Sequence, residues 1–467
     1  MAMGKRLQEE QGEFWVLKEN LPESPGHPFY DKLNQVLDKA GFDRYVEQLC
    51  APYYAEDVGR PSIPPGVYFR MIFVGYFEGI ASQRGIAWRC SDSLSLRTFL
   101  HLQLHEPSPD HSSLTRVHQR LPEEVHAKVF QFVLGMALEK KLLQGKTVAV
   151  DATTLEANAA MKSIERKDTG EDWQEYLKRL AQEAGIDQPT AAELRRFDRK
   201  RQDKKVSNEE WQARTDPDSR ITKMKDGTTH LAYKAEHVVD VDTDFVLAAA
   251  VYEGDTGDTD TLCDSVMEAQ TNLDGIHGVD RTEPDQADAE SPRAIGEVIA
   301  DKGYHGAETL DDCQTFGWRT YVPEPERKHP YRWDDQPTSA RAAVYGNRRR
   351  VRGERGKRLQ RLRSEMTERS FAHVCETGGG RRCWLRGLTK VTKRYLLQVA
   401  ARNLGLILRK LFGIGTPRSL QSSAALSGLL DLVIESLTSF SEALRMKSKI
   451  SQSGWSCGVP VLGSAAK

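Results

Sequence analysis

Cysteine is scarce in this chain, and its few cysteines are not grouped. The 467 residues include seven cysteines, which are scattered, odd in number and without a C-x-x-C pair. This spacing argues against a disulfide framework and against a zinc ribbon. We therefore expect reduced thiols and a cytosolic protein.

Long apolar segments are also absent. The opening residues, MAMGKRLQEEQGEFWVL, lack the apolar segment of a secretory signal. No apolar run approaches the roughly 18 residues that a membrane span needs. The length of the chain suggests two or three domains of about 100–200 residues each. We expect a soluble, cytoplasmic protein.

Net charge is nearly absent, but the charges are unevenly distributed. The formal net charge is −1, yet residues 270–290 are acidic and residues 347–394 are rich in Arg and Lys. The segment NRRRVRGERGKRLQRLR contains a single acid, Glu354. A basic block of this kind indicates a polyanionic partner.

The hydrophobic periodicity changes once along the chain. Residues 28–145 show helical spacing, and the arginine-bearing helices from ASQRGIAWRC to SLRTFL suggest a helix-turn-helix-like unit. After residue 145, short β-branched strands alternate with helices and one hairpin, which predicts an α/β fold with a mixed sheet. Residues 155–225 interrupt that core as a polar, mostly helical insertion. The final residues predict one helix near 424–446 and a loose tail.

Three acids stand out in this core. We expect Asp151 to end the first strand, KTVAVDATT, and Asp301 to end a later strand, AIGEVIADKGYHG. Glu368 lies in the basic helix that follows the last strand. If the two strands are neighbours, both aspartates reach the same edge of the sheet, and a helix across that edge can present Glu368 to both.

Three convergent carboxylates predict a cation between them, because they would otherwise repel one another. Oxygen ligands suit Mg²⁺ or Mn²⁺, and two such ions about 3.5–4 Å apart can clamp the attacking and leaving oxygens of a phosphodiester. A neighbouring basic helix would bind the phosphates. The pattern therefore predicts metal-dependent phosphoryl transfer on nucleic acid.

Each acid also has a structural interpretation. A single aspartate at a strand end is usually a turn or cap residue, and Glu368 could pair with Arg361 or Arg363 on its own helix. Glu365 is an alternative third ligand, one turn before Glu368.

Other acids in the core are less diagnostic. The segment DVDTDF fits a hairpin tip better than a Ca²⁺ loop, and EGDTGDTDTL contributes further acids near the site: Asp255, Asp258 and Asp260.

Taken together, these residues resemble bacterial insertion-sequence transposases of the DDE superfamily that have an InsH-like helical N-terminal domain. VAVDATTLEANA and IADKGYHG resemble the first- and second-aspartate motifs of that family. ERSFAHVCETGGGRRCWLRGLTKVTKRYLLQVAARNLG resembles its glutamate segment, and TDPDSR matches a motif before the hairpin. PDHSSLTRVHQRL resembles the end of the N-terminal domain. The resemblance covers about residues 28–412.

The resemblance implies a division of the chain and a fold class. The fold would be α/β, with an RNase H-like mixed sheet flanked by helices and preceded by an all-α N-terminal domain. The implied segments are an N-terminal tail (1–27), a helical DNA-binding domain (28–145), a DDE catalytic domain (146–412) with its insertion, and a C-terminal helix and tail (413–467).

The resemblance also implies an activity and a set of site residues. Asp151, Asp301 and Glu368 would bind Mg²⁺ or Mn²⁺, as two ions, for hydrolysis at the ends of the element and 3′-OH strand transfer into target DNA. The basic residues expected to contact DNA are Arg348, Arg349, Arg350, Arg361, Arg363, Arg369, Arg381 and Arg382.

The implied partners are double-stranded DNA with terminal inverted repeats and a second copy of the chain, as a homodimer or a larger assembly. A cytoplasmic, nucleoid-associated location would follow. One departure concerns a lysine that many relatives carry about two turns after the glutamate, where this chain has His373 and Cys375. The alternatives are an RNase H-fold nuclease without strand transfer and a DNA-binding derivative without catalysis.

Overall fold

The computed structural model describes residues 26–55, 62–201, 207–224, 227–278, 295–326, 333 and 337–418. Most of the expected N-terminal tail, the acidic segment after residue 278, and the helix and tail expected beyond residue 418 lie outside the described residues. None of the described helices is long and apolar enough to cross a membrane.

The first part of the chain is all-helical, as predicted. Its helices are α1 (Pro28–Lys39), α2 (Phe42–Cys50), α3 (Pro65–Glu78), α4 (Gln83–Asp92), α5 (Leu94–Phe99), α6 (His111–Arg120) and α7 (Glu123–Glu139). Helix α3 begins with a proline, where the missing N–H is harmless, and is buried on all sides from Gly66 to Phe77. The other helices therefore pack around α3.

The helix-turn-helix prediction for α4 and α5 is wrong. Ser93 alone separates the two helices, whereas a helix-turn-helix has a turn of three or four residues. The Ser93 hydroxyl accepts a hydrogen bond from the backbone N–H of Leu96 and so begins α5 at once.

The second part of the chain contains eight strands and seven helices among the described residues. The strands are β1 (Thr147–Glu156), β2 (Ile164–Arg166), β3 (Trp211–Ala213), β4 (Arg220–Lys223), β5 (Thr229–Asp240), β6 (Val246–Glu253), β7 (Glu297–Ile299) and β8 (Arg319–Tyr321). The helices are α8 (Trp173–Glu183), α9 (Ala191–Lys200), α10 (Asp258–His277), α11 (Ala307–Thr315), α12 (Thr338–Arg352), α13 (Glu354–Phe371) and α14 (Leu388–Phe412).

The central sheet confirms the expected mixed α/β fold. Its strand order is β6-β5-β1-β7-β8, and β4 also pairs with β5. Strands β5 and β6 form the predicted hairpin, β1 and β5 are antiparallel, and β1, β7 and β8 are parallel. With helices on its faces, this is an RNase H-like mixed sheet.

The insertion between β1 and the hairpin is less helical than its propensities predict. It contains α8 and α9, both with capping boxes, but also a two-stranded sheet formed by β2 and β3. Trp211 on β3 is buried and packs edge-on against Trp173 of α8. Tertiary packing of these aromatic rings decides the local structure here.

Helix α14 connects the helical region to the sheet. It is buried along most of its length and packs against α3, α7 and β6. The Lys393 ammonium donates to the backbone carbonyl of Leu121, at 2.9 Å, between α6 and α7. The two parts of the chain therefore share one hydrophobic core.

Candidate active site

Asp151 lies in the middle of its strand, so the expectation that it ends β1 is wrong. The strand continues to Glu156, because its second half pairs with β5. Only the parallel pairing with β7 ends early, at the pair Ala149–Ile299. The predicted edge of the sheet therefore exists only between the parallel strands β1 and β7, and not between β1 and β5.

Asp151 and Asp301 nevertheless occupy equivalent positions relative to the last parallel pair of β1 and β7, although Asp301 lies two residues beyond the end of β7. Each lies two residues beyond a member of the last parallel pair, Ala149 and Ile299. Side chains alternate between the faces of a strand, so each aspartate shares a face with that preceding residue. Ala149 and Ile299 belong to one buried apolar cluster, which also includes Leu359 of α13. Both aspartates therefore follow the face of the sheet that α13 covers.

The position of α13 is set by hydrogen bonds from two points along the helix. From its seventh residue, the Gln360 amide donates to the backbone carbonyls of Ala300 and Tyr321, where β7 and β8 end. Near its end, Ser370 hydrogen-bonds to Nδ1 of His237 at 2.9 Å. His237 is the register partner of Asp151 on β5. The helix is therefore held directly above Asp151.

His237 is a structural residue beside Asp151 that the sequence analysis missed. It is fully buried, stacks on Phe371 with ring centroids 4.2 Å apart, and bonds through Nε2 to the Tyr395 hydroxyl. Burial holds the pKa of His237 well below its usual value, so the ring is neutral and has one donor and one acceptor nitrogen. It thereby joins β5 to α13 and α14.

Asp151 is hydrogen-bonded through both carboxylate oxygens. Oδ2 accepts from Nη1 of Arg363 at 2.9 Å and from the Thr367 hydroxyl at 3.0 Å, and Oδ1 accepts from the backbone N–H of Ala152. Burial raises the pKa of Asp151 despite the opposing effect of Arg363, and the negative charge of Asp301 raises it further. The two aspartates are therefore close enough to interact electrostatically.

Asp301 begins a single 3-10 turn, Lys302–Tyr304. Its Oδ1 accepts from the backbone N–H of Gly303 at 2.7 Å, which is the cap role that any aspartate at a strand end could have. Its partly exposed carboxylate retains oxygens for another ligand. Tyr304, at the end of the turn, is buried.

Glu368 is exposed on α13, next to Thr367, and does not form the predicted ion pair with Arg361 or Arg363. Its rival Glu365 does form a helical pair of this type, with Arg369. Because Thr367 bonds to Asp151, Glu368 lies 100° and Glu365 about 160° around the helix from the residue that faces the site. Glu368 is thus closer than Glu365 to the face of α13 that carries Thr367.

The three acids do not converge into a closed ligand set. Among the described residues, the one group of three potential ligands with atoms within 4.8 Å of one another is Asp38, Asp43 and His101. That group surrounds the buried guanidinium of Arg70, whose Nη2 lies 2.8 Å from Asp38 and 2.7 Å from Asp43. A cation already neutralises these acids, so we interpret the group as a structural tie between α1, α2 and α3.

Half of the arginines that we predicted to contact DNA are paired with acids of the protein itself. Arg348 is bonded through two nitrogens at 2.8 Å. The four pairs are Arg348–Glu324, Arg363–Asp151, Arg369–Glu365 and Arg381–Glu376.

The remaining four predicted arginines differ in how available they are. Arg350 donates to the backbone carbonyl of Thr320 at 2.9 Å, which fixes the end of α12 against β8. Arg382 is 59% exposed and only loosely paired with Glu156, at 3.9 Å. Arg349 and Arg361 are exposed and form no hydrogen bond with the described residues. Arg349, Arg361 and Arg382 are therefore the most accessible positive charges of the set.

The TDPDSR motif caps α14, a role that sequence reasoning did not assign. Oδ1 of buried Asp216 accepts from the Tyr233 hydroxyl at 2.7 Å and from the backbone N–H of Gly387 at 2.8 Å. Asp218 accepts from the backbone N–H of Leu388. TDPDSR and the R-G-L segment are thus two halves of one helix cap, and their joint occurrence was the available signal.

The aspartates of the hairpin tip are also structural, as the hairpin interpretation predicted. Asp240 accepts from the backbone N–H groups of Gln144 and Gly145, and Asp244 pairs with Arg402 at 2.6 Å. Trp384, by contrast, has no buried packing role. It is 55% exposed and lines a cavity of about 210 Å³ with Arg382 and Arg394.

Two known protein families match this chain. Residues 16–120 match the family described as transposase domain (DUF772), and residues 144–404 match the family described as transposase DDE domain. No curated protein and no solved structure matches the chain. Because the second match covers more than half of the chain, the protein belongs to the DDE-domain transposases, a family of metal-dependent enzymes that cleave and transfer DNA strands.

Proposed function

We propose that Asp151, Asp301 and Glu368 are the metal ligands of this transposase, and that they hold Mg²⁺ or Mn²⁺ as a pair of ions. The observation that carries the proposal is the parallel register of β1 and β7, which puts Asp151 and Asp301 at equivalent positions under α13. Glu368 is the acid of α13 adjacent to Thr367, which bonds to Asp151.

The residues at this edge suit a hard divalent cation. All three side chains offer carboxylate oxygens, which Mg²⁺ and Mn²⁺ prefer over nitrogen or sulfur ligands. The mutual repulsion that contributes to the raised pKa of Asp151 is relieved when a cation lies between the aspartates. At present Arg363 supplies part of that positive charge.

The chain's own residues would supply position and charge. Bound divalent ions would activate the attacking water or 3′-OH and stabilise the leaving oxygen. Asp151 is oriented for this by Thr367 and Ala152, and Asp301 by Gly303. Arg363 places a guanidinium at the same edge, where it can contact a phosphate once Asp151 has another partner. The freed 3′-OH would then attack target DNA in a second in-line displacement.

The DNA surface that we propose begins beside this edge. Arg349, Arg361 and Arg382 are exposed on α12, α13 and the segment before α14, and none is held by a close ion pair. We propose that they contact the phosphates of the terminal inverted repeats and of target DNA. Cleavage at two paired ends would require a homodimer or a larger assembly.

The test is cleavage of a labelled duplex that carries the ends of the element, with Mg²⁺ and with EDTA, for the wild type and Asp301→Asn. Metal-dependent nicking that is lost in the variant, with DNA binding retained, supports the assignment. Strand-transfer product separates a transposase from a nuclease that only cuts. Equal cleavage by both proteins would remove Asp301 from the metal site.

A further inference from the structure

A buried charged network lies behind the proposed metal site, on the opposite face of the sheet. Glu236 on β5 is the register partner of Ala152. Its side chain therefore lies on the face of the sheet opposite to the one that carries Asp151 and His237. The Glu236 carboxylate is completely buried. A buried carboxylate is costly unless it is well paired, so its partners indicate what it does.

The partners of Glu236 come from the loop of Asp301 and from α10. Its Oε2 accepts from the Tyr304 hydroxyl at 2.7 Å and from the Thr261 hydroxyl at 2.8 Å, and lies 3.4 Å from the Lys234 ammonium. Its Oε1 is buried and has no hydrogen-bond partner among the described residues. Glu236 thus holds Tyr304, which is three residues after Asp301.

Lys234 continues the network to a second point on the same loop. Its ammonium is buried, lies 2.8 Å from Oδ1 of Asp258 and donates to the backbone carbonyl of Gly257 at 3.1 Å. Asp258 is one of the acids that the sequence singled out. A methyl group at Gly303 would lie 2.6 Å from Oδ2 of Asp258 and 3.0 Å from Oδ1 of Asp301. Asp258 and Asp301 therefore flank the same glycine.

We propose that Glu236 and Lys234 are positioning residues for Asp301. They act through Tyr304 and Asp258, which hold the two sides of the turn that carries the Asp301 carboxylate. This inference rests on the proposed function, since it assumes that Asp301 binds the metal. Metal ligands must be held within about 0.5 Å of the productive geometry, and supporting residues typically change metal affinity by about 10–100-fold.

A positioning role accounts for the buried charges of Glu236 and Lys234, at positions where apolar side chains would also pack. The turn Lys302–Tyr304 spans only three residues, so displacement of Tyr304 displaces Asp301. Lys234 also provides a positive charge beside Asp258, which reduces the repulsion between Asp258 and Asp301 on the two sides of Gly303. An apolar replacement of the pair would keep the packing and lose both effects.

The test is the variant Tyr304→Phe, which removes only the hydroxyl that bonds to Glu236. Its matched control is Tyr252→Phe. The Tyr252 hydroxyl bonds to Ser265 of α10 at 2.9 Å, and its ring lies 5.9 Å from the Lys234 ammonium, against 5.8 Å for the ring of Tyr304. Both variants lose one tyrosine hydroxyl bond beside the same lysine, but only one lies in the loop of Asp301.

Two measurements are made on the full-length proteins. Mn²⁺ binding without DNA is followed by the paramagnetic resonance of free Mn²⁺, and duplex cleavage is followed as a function of Mn²⁺ concentration. We expect Tyr304→Phe to raise the Mn²⁺ concentration at half-saturation about tenfold in both, with folding retained in thermal unfolding. We expect Tyr252→Phe to match the wild type, and Asp258→Asn to weaken Mn²⁺ binding in the same direction as Tyr304→Phe.

The outcomes separate this inference from the proposed function. If Asp301→Asn binds Mn²⁺ as the wild type does, the proposed metal site itself fails. If Asp301→Asn loses binding while Tyr304→Phe and Asp258→Asn keep wild-type half-saturation, the site stands and the positioning role is overturned. The role is also overturned if Tyr252→Phe weakens Mn²⁺ binding as much as Tyr304→Phe, because the effect would then be a general loss of packing around Lys234.

Discussion

Arg363 and Asp151, which are 212 residues apart in the chain, form an ion pair at the centre of the proposed metal site. Nη1 of Arg363 lies 2.9 Å from Oδ2 of Asp151, and both side chains are partly exposed. The guanidinium therefore occupies part of the space that a metal ion bound to Asp151 would need. Arg363 and a divalent ion should compete for the same carboxylate.

This competition predicts an unusual phenotype for Arg363→Gln. Without the guanidinium, Mn²⁺ binding in the absence of DNA should tighten by about fivefold, or roughly 1 kcal/mol for a partly exposed pair. Cleavage of the duplex should nevertheless slow, because a positive charge is lost beside the reacting phosphate. Isothermal titration with Mn²⁺ tests the first effect. Arg361→Gln, on the exposed side of the same helix, is the control and should bind Mn²⁺ as the wild type does. Unchanged or weaker binding by Arg363→Gln would contradict the competition.

The two acids of α13 should respond differently to neutralisation. Glu368→Gln is expected to reduce metal-dependent cleavage by at least about a hundredfold, since a metal ligand contributes several kcal/mol to the reaction. Glu365→Gln should leave cleavage within about twofold of the wild type, because it loses only a helical ion pair worth about 0.2–0.5 kcal/mol. Single-turnover cleavage rates test both. The reverse result would make Glu365 the third ligand.

Glu268 on α10 gives the protein a pH-dependent stability. Burial, with a smaller contribution from Glu123, raises the pKa of Glu268 from its usual value of 4.5 to about 7. The folded state thus binds this proton more tightly than the unfolded state, and its stabilising effect is lost as pH rises from about 4.5 to 7. Glu268→Gln should increase the free energy of unfolding at pH 8 by roughly 2–3 kcal/mol and have little effect at pH 4.5.

Urea unfolding at several pH values tests this prediction. Glu308→Gln on α11 is the matched control, because it removes one carboxylate from an exposed position. A constant difference between wild type and Glu268→Gln across the pH range would show that Glu268 does not titrate in this window.

The cap of α14 should be important for stability and not for metal binding. Asp216→Ala removes the acceptor of two buried hydrogen bonds, from Tyr233 and from Gly387, and should cost about 2–4 kcal/mol of unfolding free energy. Tyr233→Phe removes one of the two bonds and should cost about 1 kcal/mol. Unfolding free energies from urea titration and Mn²⁺ binding test the two parts. A loss of Mn²⁺ affinity in folded Asp216→Ala would contradict a purely structural role.

Much of the fold followed from local patterns. Helical spacing predicted the all-helical region from residue 28 to 145, and β-branched runs with a polar tip predicted the hairpin of β5 and β6. The parts that were wrong depended on contacts between distant segments. Strand β1 extends past Asp151 because β5 pairs with it, and the insertion contains strands because Trp211 packs against α8.

The sequence by itself determined which residue types are available: three acids in strand and helix contexts, a block of arginines, and the motifs that identify the family. Only the tertiary structure decided which of them meet. The parallel register aligns Asp151 with Asp301, and the bonds of Gln360 and His237 set α13 above them. It also showed that half of the predicted DNA-binding arginines are already paired within the protein. The physical reason is that side-chain identity is a local property, whereas the distance between charges hundreds of residues apart depends on strand pairing and helix packing.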